Sequence, residues 1–426
     1  MKTLVRLSLA VILAVGLTTG LFANGLNLNG TGAKSDAMGG AFVGLANDFS
    51  AAYWNPAGLA QITKASFSLY GADILPTGTY VVAPYGIDAK STPKSYLIPG
   101  LGYFQPIGKK IVVGVYLYAP SGAGANWDGE DLTPLTGGNP FLWNSKLGIF
   151  TVSPSIAYKI SDKVLIGATV DVNYGMLKMD QPFQVGQYSE DLKGWAVGGT
   201  LGLLIKPVEQ FSFGVSYKIP FTAKLKGDVT IPYATMLPGV TTTMETGTRE
   251  ATWPMWLAAG IAVKPTDKLT ITADIQYTNW KKLQTIPVSF EDPAWEGYFG
   301  VNGPTGPPPV GTPNTNRTDE FLWKDTFQYR FGAEYWISNS FALRAGYYID
   351  ENPGPPETQN ILLPEFKYNW FTAGFGYQSG KLVIDAAIQY GTGADIDVPL
   401  DPVHYAMPGV HGMSMWVPSL NFTYKF

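Results

Sequence analysis

The sequence contains no cysteine, only two histidines and few charged residues. The absence of cysteine excludes disulfides, thiolate metal sites and cysteine nucleophiles. Charged residues make up 15% of the chain, whereas soluble domains carry about 25%. The formal net charge is −4. Because a protein that binds nucleic acid needs a basic patch, nucleic acid is not expected as a partner. No phosphate-binding motif is present, and we therefore expect neither ATP nor another bound cofactor.

Long apolar runs are confined to the N-terminus. Lys2 and Arg6 precede an almost wholly apolar run from Leu7 to Leu17, and small residues follow up to Ala23. This order is typical of a secretory signal peptide that is cleaved after Ala23. An N-terminal membrane anchor is the alternative, but the run is too short to span a bilayer comfortably. After Ala23 no stretch resembles a transmembrane helix, because polar residues or glycine interrupt every apolar run.

Aromatic residues (14%) and glycine (49 residues) are abundant, and apolar residues alternate with polar ones. Between Lys163 and Tyr174 the apolar members are Val164, Ile166, Ala168, Val170, Val172 and Tyr174, and the polar ones are Thr169, Asp171 and Asn173. The segments Lys268 to Trp280 and Phe341 to Asp350 follow the same pattern. A period of two predicts strands between two unlike environments, such as lipid outside a barrel and a polar lumen inside it.

The alternation predicts an all-β transmembrane antiparallel β-barrel of about 14 strands. The predicted strands are 65–75, 95–106, 110–119, 145–160, 163–179, 193–206, 209–231, 249–264, 268–280, 322–337, 340–350, 366–379, 380–391 and 413–426. Short connections alternate with long ones, and the long ones are 76–94, 120–144, 180–192, 232–248, 281–321, 351–365 and 392–412. The Pro- and Gly-rich segment 281–321 could be an interdomain linker, but strand patterning resumes directly after it, which favours a loop.

This alternation of loop lengths indicates a membrane and an orientation. Outer-membrane barrels have short periplasmic turns and long extracellular loops. We therefore expect a location in a bacterial outer membrane of the Gram-negative type, in contact with its lipid and lipopolysaccharide. Both termini are expected in the periplasm.

The last predicted strand ends in alternating aromatic residues. The residues that share its apolar face are Trp416, Pro418, Leu420, Phe422, Tyr424 and Phe426. Aromatic residues near a strand end are typical of the interfacial girdle of a membrane barrel. A C-terminal Phe also resembles the recognition signal of outer-membrane barrels in general, which implies that the barrel-assembly machinery is a partner through Phe426.

Residues 24–64 lack strand alternation and are rich in small residues. A barrel of about 14 strands lies between small barrels that side chains fill and porins with an open channel. Its lumen therefore needs a filler. We expect a signal peptide over 1–23, an N-terminal hatch that plugs the lumen over 24–64, and the barrel over 65–426.

An ordered set of motifs along the chain resembles one known family. The motifs are Met38-Gly39-Gly40-Ala41-Phe42, Asn55-Pro56-Ala57-Gly58-Leu59, Tyr217-Lys218-Ile219-Pro220, Ala273 to Trp280, Trp323 to Phe327 and Leu343 to Asp350. They resemble the FadL/TodX family of outer-membrane transporters for long-chain fatty acids and aromatic hydrocarbons. The resemblance implies a monomeric barrel that binds hydrophobic small molecules outside the cell. It also implies passive release of these molecules sideways through a kinked strand.

The resemblance assigns roles to individual residues as well. Asn55, Pro56 and Ala57 match the family's hatch motif and would control the lateral opening, although Asn-Pro with a nearby Gly also favours an ordinary turn. The kink is expected on the third strand. Gly114 is the candidate there, because an interior glycine often marks a bulge.

Two arginines on the predicted lumen face are candidate substrate-binding residues. Arg330 and Arg344 could each bind a carboxylate headgroup through charge-assisted hydrogen bonds. The alternative is that the two arginines pair with Glu334 and Asp385 and brace the wall and the plug. This alternative is favoured, because intramembrane charges usually pair with one another.

Some loop segments are expected to be exposed apolar surfaces that capture ligand. These segments are Phe141-Leu142-Trp143 and Ile361-Leu362-Leu363. Exposed apolar patches commonly mark contact with a ligand or a membrane.

Transport of long-chain fatty acids is the favoured function, and uptake of aromatic hydrocarbons is the first alternative. The sequence also leaves open an adhesin or structural surface barrel, whereas a nonspecific porin would lack the N-terminal filler. An enzyme would need a nucleophile with a positioned base. His404 and His411 lie in the predicted loop 392–412 without a serine motif, so we expect solvent-exposed loop residues and no catalysis.

Overall fold

The computed structural model describes residues 25–28, 30–183, 186–300, 321–400 and 407–426. The predicted signal peptide, residues 1–23, lies outside these ranges, and so does His404. Within these ranges, no helix has the length and apolar character needed to cross a membrane.

The described chain forms one sheet of 19 strands. The strands are β1 (Ser66–Val82), β2 (Ile87–Lys90), β3 (Tyr96–Ile107), β4 (Ile111–Trp127), β5 (Trp143–Ser161), β6 (Val164–Phe183), β7 (Gly186–Val208), β8 (Phe211–Ile219), β9 (Phe221–Thr230), β10 (Met244–Trp253), β11 (Trp256–Thr266), β12 (Leu269–Thr278), β13 (Val288–Phe290), β14 (Thr326–Trp336), β15 (Phe341–Asp350), β16 (Tyr368–Ser379), β17 (Leu382–Gly393), β18 (Ile396–Val398) and β19 (Gly409–Lys425). The α-helices are α1 (Ala33–Ala37), α2 (Ala51–Trp54) and α3 (Pro293–Phe299). Short 3-10 helices span Pro56–Gln61, Ala83–Tyr85, Glu130–Leu135, Ala234–Met236, Trp280–Lys282 and Pro356–Thr358.

The sheet closes into a barrel, because β1 pairs antiparallel with β19 along its length, beginning with Ser66 opposite Lys425. The pieces β8 and β9 form one wall strand that is interrupted at Pro220, and β10 and β11 form another that is interrupted at Pro254 and Met255. Proline has no N–H to donate to the ladder, so it breaks each strand. The short strands β2, β13 and β18 belong to loops. The wall therefore contains 14 strands, as predicted.

The predicted alternation of faces is confirmed. On β6 the side chains of Ile166 and Val170 are exposed on the outer surface, whereas Asp171 and Asn173 are buried inside the barrel. The C-terminal strand behaves in the same way, since its aromatic residues lie outside and Asn421 lies inside. The outer surface is thus an apolar band and the lumen face is polar, as a bilayer requires.

The wall strands at the loop end of the barrel are longer than predicted. β1 continues to Val82, β4 to Trp127 and β6 to Phe183. Neighbouring strands keep pairing there, but the alternation that marks them in sequence fades once one face no longer contacts lipid. The single strand predicted over 209–231 is interrupted at Pro220.

The N-terminal residues 25–28 and 30–64, here called the plug segment, lie inside the barrel. Every residue of α1 and α2 except Lys34 is buried against the inward face of the wall. Asn55 precedes the 3-10 helix at Pro56–Gln61, and its Oδ1 accepts a hydrogen bond of 3.2 Å from the backbone N–H of Ala57. Asn as a cap followed by Pro is a favourable helix start.

Candidate functional site

The barrel wall is open between β3 and β4 at the loop end. β3 pairs with β1 from Tyr96 onward, but it pairs with β4 only from Leu101, which lies opposite Leu117. Beyond Leu117 the ladder between β4 and β5 also shifts register, between Tyr118 and Ser121. Pro120 lies within this shift and cannot donate to a ladder, which explains the local loss of regular pairing.

The interruption of β4 is at Pro120 rather than at Gly114, the expected kink. Gly114 pairs in unbroken register with Phe104 on β3 and with Ser155 on β5. A Cβ added at Gly114 would overlap the Phe104 ring and the Tyr103 carbonyl. The glycine is therefore explained by the close approach of Phe104, whereas the register shift of β4 lies at Pro120.

A cavity of about 440 Å³ passes through the opening. Inside the barrel it is lined by Trp370, Gln389 and Met415. At the wall it is also lined by Leu97 and Phe150, whose side chains are 74% and 38% exposed on the outer surface. The cavity thus connects the lumen with the lipid-facing surface of the barrel.

The first residues of the plug segment lie along the edge of β4 that β3 leaves free. The backbone N–H of Leu28 donates to the carbonyl of Pro120 at 3.0 Å, and that of Gly122 donates to the carbonyl of Leu26 at 3.2 Å. Asn27 forms a β-bridge with Ser121. These contacts satisfy backbone groups of β4 that would otherwise be buried without partners. The plug segment therefore forms one side of the opening.

The predicted hatch motif lies elsewhere on the wall. The side-chain amide of Asn55 donates to the carbonyl oxygens of Val43 (2.9 Å) and Leu203 (3.0 Å), which joins the plug segment to β7. Cβ atoms added at Gly202 or Gly214 would overlap Asn55, Val43 or Ala57. These glycines therefore permit close contact with the plug backbone. Asn55, Pro56 and Ala57 face β6, β7 and β8 and do not line the 440 Å³ cavity.

Arg344 lies in a buried ion-pair network, which fits the bracing alternative. Its guanidinium contacts Glu334 and Asp385, each at 2.7 Å. Glu334 also contacts Lys34 of α1 at 3.2 Å. The network therefore connects the wall strands β14, β15 and β17 with the plug segment.

Arg330 also contacts the plug segment. Its guanidinium donates to the carbonyl of Gly39 at 3.1 Å and to Gln328 Oε1 at 2.8 Å. It also lies over the rings of Tyr348 and Trp54, 4.5 and 5.2 Å from their centroids. Neither Arg330 nor Arg344 lines the cavity.

The loop segment Ile361-Leu362-Leu363 was expected to be exposed, but its first two residues are buried at the mouth of the barrel. Ile361 and Leu362 are each 1% exposed and pack with Trp127 and Trp143. Trp127 Nε1 donates to the Ile361 carbonyl at 3.0 Å. Of the other expected capture segment, Leu142 is exposed and Trp143 is buried. Apolar loop residues here form a cluster of their own, because burial against aromatic rings removes their surface from water.

The expectation for His411 was also wrong. β19 begins at Gly409, so His411 is a strand residue, and it is buried. Its Nε2 lies 2.7 Å from the Met407 carbonyl oxygen, and its ring lies 4.8 Å from that of Tyr80. The buried imidazole of His411 therefore packs against other residues at the mouth of the barrel.

The comparisons with known proteins agree with this geometry. The pattern of the family described as "Outer membrane protein transport protein (OMPP1/FadL/TodX)" matches residues 14–426. The chain belongs to the FadL/TodX family. This family consists of outer-membrane proteins that transport hydrophobic compounds. Its members are transporters or channels rather than enzymes.

Individual relatives are distant but similar over nearly their whole length. A putative outer membrane protein of Neisseria meningitidis serogroup B is 23% identical over 410 residues, covering 86% of this chain and 85% of that protein. A FadL homologue of Pseudomonas aeruginosa has a TM-score of 0.74 at 19% identity, covering 95% and 100% of the two chains. The toluene transporter TodX of P. putida has a TM-score of 0.72 at 19% identity, covering 94% and 99%. At such identities the solved structures show the fold of this FadL/TodX member.

Sequence reasoning missed the residues that form the opening. Pro120 was placed at the start of a loop, although a proline at the end of a strand pattern is itself a signal of interrupted pairing. The contact of Leu26 and Leu28 with β4 had no signal in the sequence, since it joins distant segments through backbone groups.

Proposed function

We propose that this protein transports long-chain fatty acids by passive diffusion and releases them sideways between β3 and β4. The observation that carries the proposal is the cavity that joins the lumen to the lipid-facing surface beside Leu97 and Phe150. An amphiphile that leaves by this route enters the outer leaflet of the membrane directly, without crossing a water-filled pore.

The size of the cavity favours a long molecule over a single ring. Its volume is about 440 Å³, whereas an apolar cavity of about 150 Å³ already holds benzene. Typical ligand cavities are about 300–1,000 Å³, so an acyl chain suits this one. Uptake of aromatic hydrocarbons is the second candidate, because the structurally similar TodX is named as a toluene transporter.

We also propose the arrangement of the chain in the membrane. The residues 24–64 act as the hatch, and the C-terminus faces the periplasm, because β19 ends at the barrel end with the short turns. The periplasmic N-terminus expected from the sequence does not fit the position of Leu26 and Leu28, which pair with Gly122 and Pro120 at the loop end. A monomeric barrel in contact with lipopolysaccharide, and recognition of Phe426 by the barrel-assembly machinery, remain predictions from the sequence.

Uptake of labelled oleate by cells that lack their own fatty-acid transporter tests the proposal. The variant Gly122→Phe adds a ring to the cavity at a position where a Cβ meets its nearest atom, of Leu28, at 3.6 Å. We expect the intact protein to restore uptake and this variant to reduce it strongly. The matched control is Gly297→Phe in α3, because a Cβ at Gly297 meets no atom within 4 Å and Gly297 does not line the cavity.

The surface level of each barrel is measured in the same cells. No oleate uptake by a correctly folded barrel would contradict fatty-acid transport, and toluene would then be offered to the same cells. Equal uptake by Gly122→Phe and the intact protein would contradict the route between β3 and β4.

A further inference from the structure

The short turns at one end of the barrel are rich in lysine. Lysines outnumber acidic residues there, although the whole chain has a net charge of −4. The acidic residues of these turns are Asp162, Glu209 and Asp267. The lysines at the ends of β4, β5, β6, β7, β11 and β12 are here called the lysine arc, and they are Lys110, Lys159, Lys163, Lys206, Lys264 and Lys268.

The lysine arc continues the inward-facing row of the wall. Side chains alternate between the two faces of a strand, and each lysine of the arc lies two residues from a buried inward residue. Lys159 follows Ala157 in this way, and Lys206 follows Leu204. The outward residue Tyr158 between them on β5 is exposed on the outer surface. The arc therefore borders the mouth of the lumen, and apolar side chains face the lipid at the same level.

The strands that carry the arc lie side by side in the barrel. β4 to β7 pair in sequence order, β7 pairs with β8, β8 with β11, and β11 with β12. Neighbouring strands are about 4.8 Å apart, so this part of the rim is roughly 30 Å long. A protein interface of about 800 Å² per partner is of similar width. The arc thus has the dimensions of a protein contact and is too wide for one small anion.

Lysines of the arc lie directly opposite each other on neighbouring strands. The backbone N–H of Lys159 donates to the carbonyl of Lys110 at 2.7 Å, and that of Lys206 donates to the carbonyl of Lys163 at 2.7 Å. Like charges in such positions destabilise a sheet. Among the described residues, the one ion pair of the arc joins Lys159 to Asp162 at 3.0 Å. Most of the positive charge of the arc is therefore not compensated within the described chain.

Lys206 connects the arc with the plug segment. Its Nζ donates to Gln61 Oε1 at 2.9 Å. The side-chain amide of Gln61 donates in turn to the carbonyls of Leu45 (3.0 Å) and Ala46 (3.1 Å). No lysine of the arc lines the cavity of the side opening. A molecule that covers the arc would therefore cover the turn end of the plug segment and leave the side opening free.

We propose that the lysine arc is a docking surface for a soluble acidic protein of the periplasm. The inference uses the proposed orientation of the barrel, which places the short turns in the periplasm, and it does not depend on the transported compound. Complementary charge speeds association and disfavours partners of the same sign. The contact relies on exposed charges, so it should weaken as the salt concentration rises.

Binding of a fluorescent oligoglutamate peptide to the full-length protein tests this surface. The protein is held in nanodiscs of phosphatidylcholine, which has no net charge, and an oligoglutamine peptide controls for unspecific binding. The arc variant combines Lys163→Glu and Lys264→Glu, at two exposed positions. We expect its affinity for oligoglutamate to fall by about tenfold or more, because like charges at an interface repel. The control variant combines Lys281→Glu and Lys282→Glu, at two exposed positions of the loop end, and should bind like the intact protein.

Carbodiimide coupling of the peptide carboxylates to lysines maps the contact on the intact protein, without any variant. We expect adducts at the exposed lysines Lys163, Lys264 and Lys268, and none at Lys281 or Lys282. Adducts spread evenly over both ends of the barrel would overturn the proposal. Equal affinity of the arc variant and the control variant would overturn it as well.

An anionic phospholipid is the competing partner of the arc. Acetylation rates of the arc lysines are therefore compared in nanodiscs with and without phosphatidylglycerol. We expect equal rates, because the arc borders the lumen mouth. Slower acetylation with phosphatidylglycerol would assign the arc to lipid headgroups and overturn the docking surface, as would failure of the intact protein to bind oligoglutamate. Oleate uptake is measured separately, so loss of this proposal leaves fatty-acid transport to its own test.

Discussion

The side-chain amide of Asn55 donates a hydrogen bond of 3.0 Å to the backbone carbonyl of Leu203 on β7. Asn55→Ala should destabilise the seated plug by about 1–3 kcal/mol, because the buried carbonyls of Leu203 and Val43 lose their donor. Hydrogen exchange of the amides in residues 41–60 measures the effect, and oleate uptake should fall in parallel. Asn339→Ala, in an exposed turn, is the control. Unaltered exchange in Asn55→Ala would show that the motif does not hold the plug.

Gly202 should tolerate no side chain. In Gly202→Ala the new Cβ would overlap Asn55 Oδ1 and crowd the backbone of Ala57, and we expect a loss of about 1–3 kcal/mol, as is typical of overpacking. Thermal unfolding measures this loss. The control Gly71→Ala adds the same methyl group where no atom lies within 4 Å. Equal melting temperatures for the two variants would contradict the close contact.

Arg344 is expected to contribute to stability more than to transport selectivity. In Arg344→Met the buried carboxylates of Glu334 and Asp385 lose a contact of 2.7 Å each. Removing one partner of such a network costs about 3–5 kcal/mol. Lys159→Met breaks an exposed pair with Asp162 and should leave the melting temperature almost unchanged. A stable Arg344→Met with weakened oleate binding would instead support the headgroup role for this arginine.

The loop carboxyl of Glu365 should make stability depend on pH. Burial, with Asp350 nearby as the smaller cause, raises the pKa of Glu365 well above its usual value of 4.5. The folded protein therefore holds this proton more tightly than the unfolded chain. Its contribution to stability is full below about pH 4.5 and is lost as the pH rises towards the folded pKa.

Glu365→Gln should remove this part of the pH dependence and raise the melting temperature at pH 8 relative to the intact protein. Melting curves at pH 5 and pH 8 measure the change. Glu357→Gln, an exposed glutamate of the same loop, is the control. The same slope with pH in the intact protein and in Glu365→Gln would rule out the buried carboxyl as its source.

The wall of the barrel could be predicted from the sequence because lipid and lumen impose a local pattern. Asp274 and Ile275 are neighbours in sequence, and one is buried inside while the other is exposed outside. Alternation of this kind is readable from one chain. Strand ends were less predictable, since at Val82 or Trp127 the backbone pairing continues without lipid on either face.

The candidate site was less predictable because its contacts join distant parts of the chain. Asn55 and Leu203 are 148 positions apart, and the bond runs through a backbone carbonyl that every residue possesses. For Arg344 the sequence left two roles open, and the geometry fits the bracing one. Ile361 was misjudged because an apolar loop residue has the same local pattern whether it is exposed or covers another cluster.

The close seating of the plug on Gly202 and Gly214 affects how mutational data on this barrel are interpreted. A library of single substitutions, selected for uptake, would be depleted at these wall positions although no ligand reaches them. Such depletion would identify the positions on the inside of the wall that contact residues 43–57 of the plug segment. Tolerance maps and ligand maps of this transporter would therefore differ, because the second would contain the residues that line the cavity of about 440 Å³.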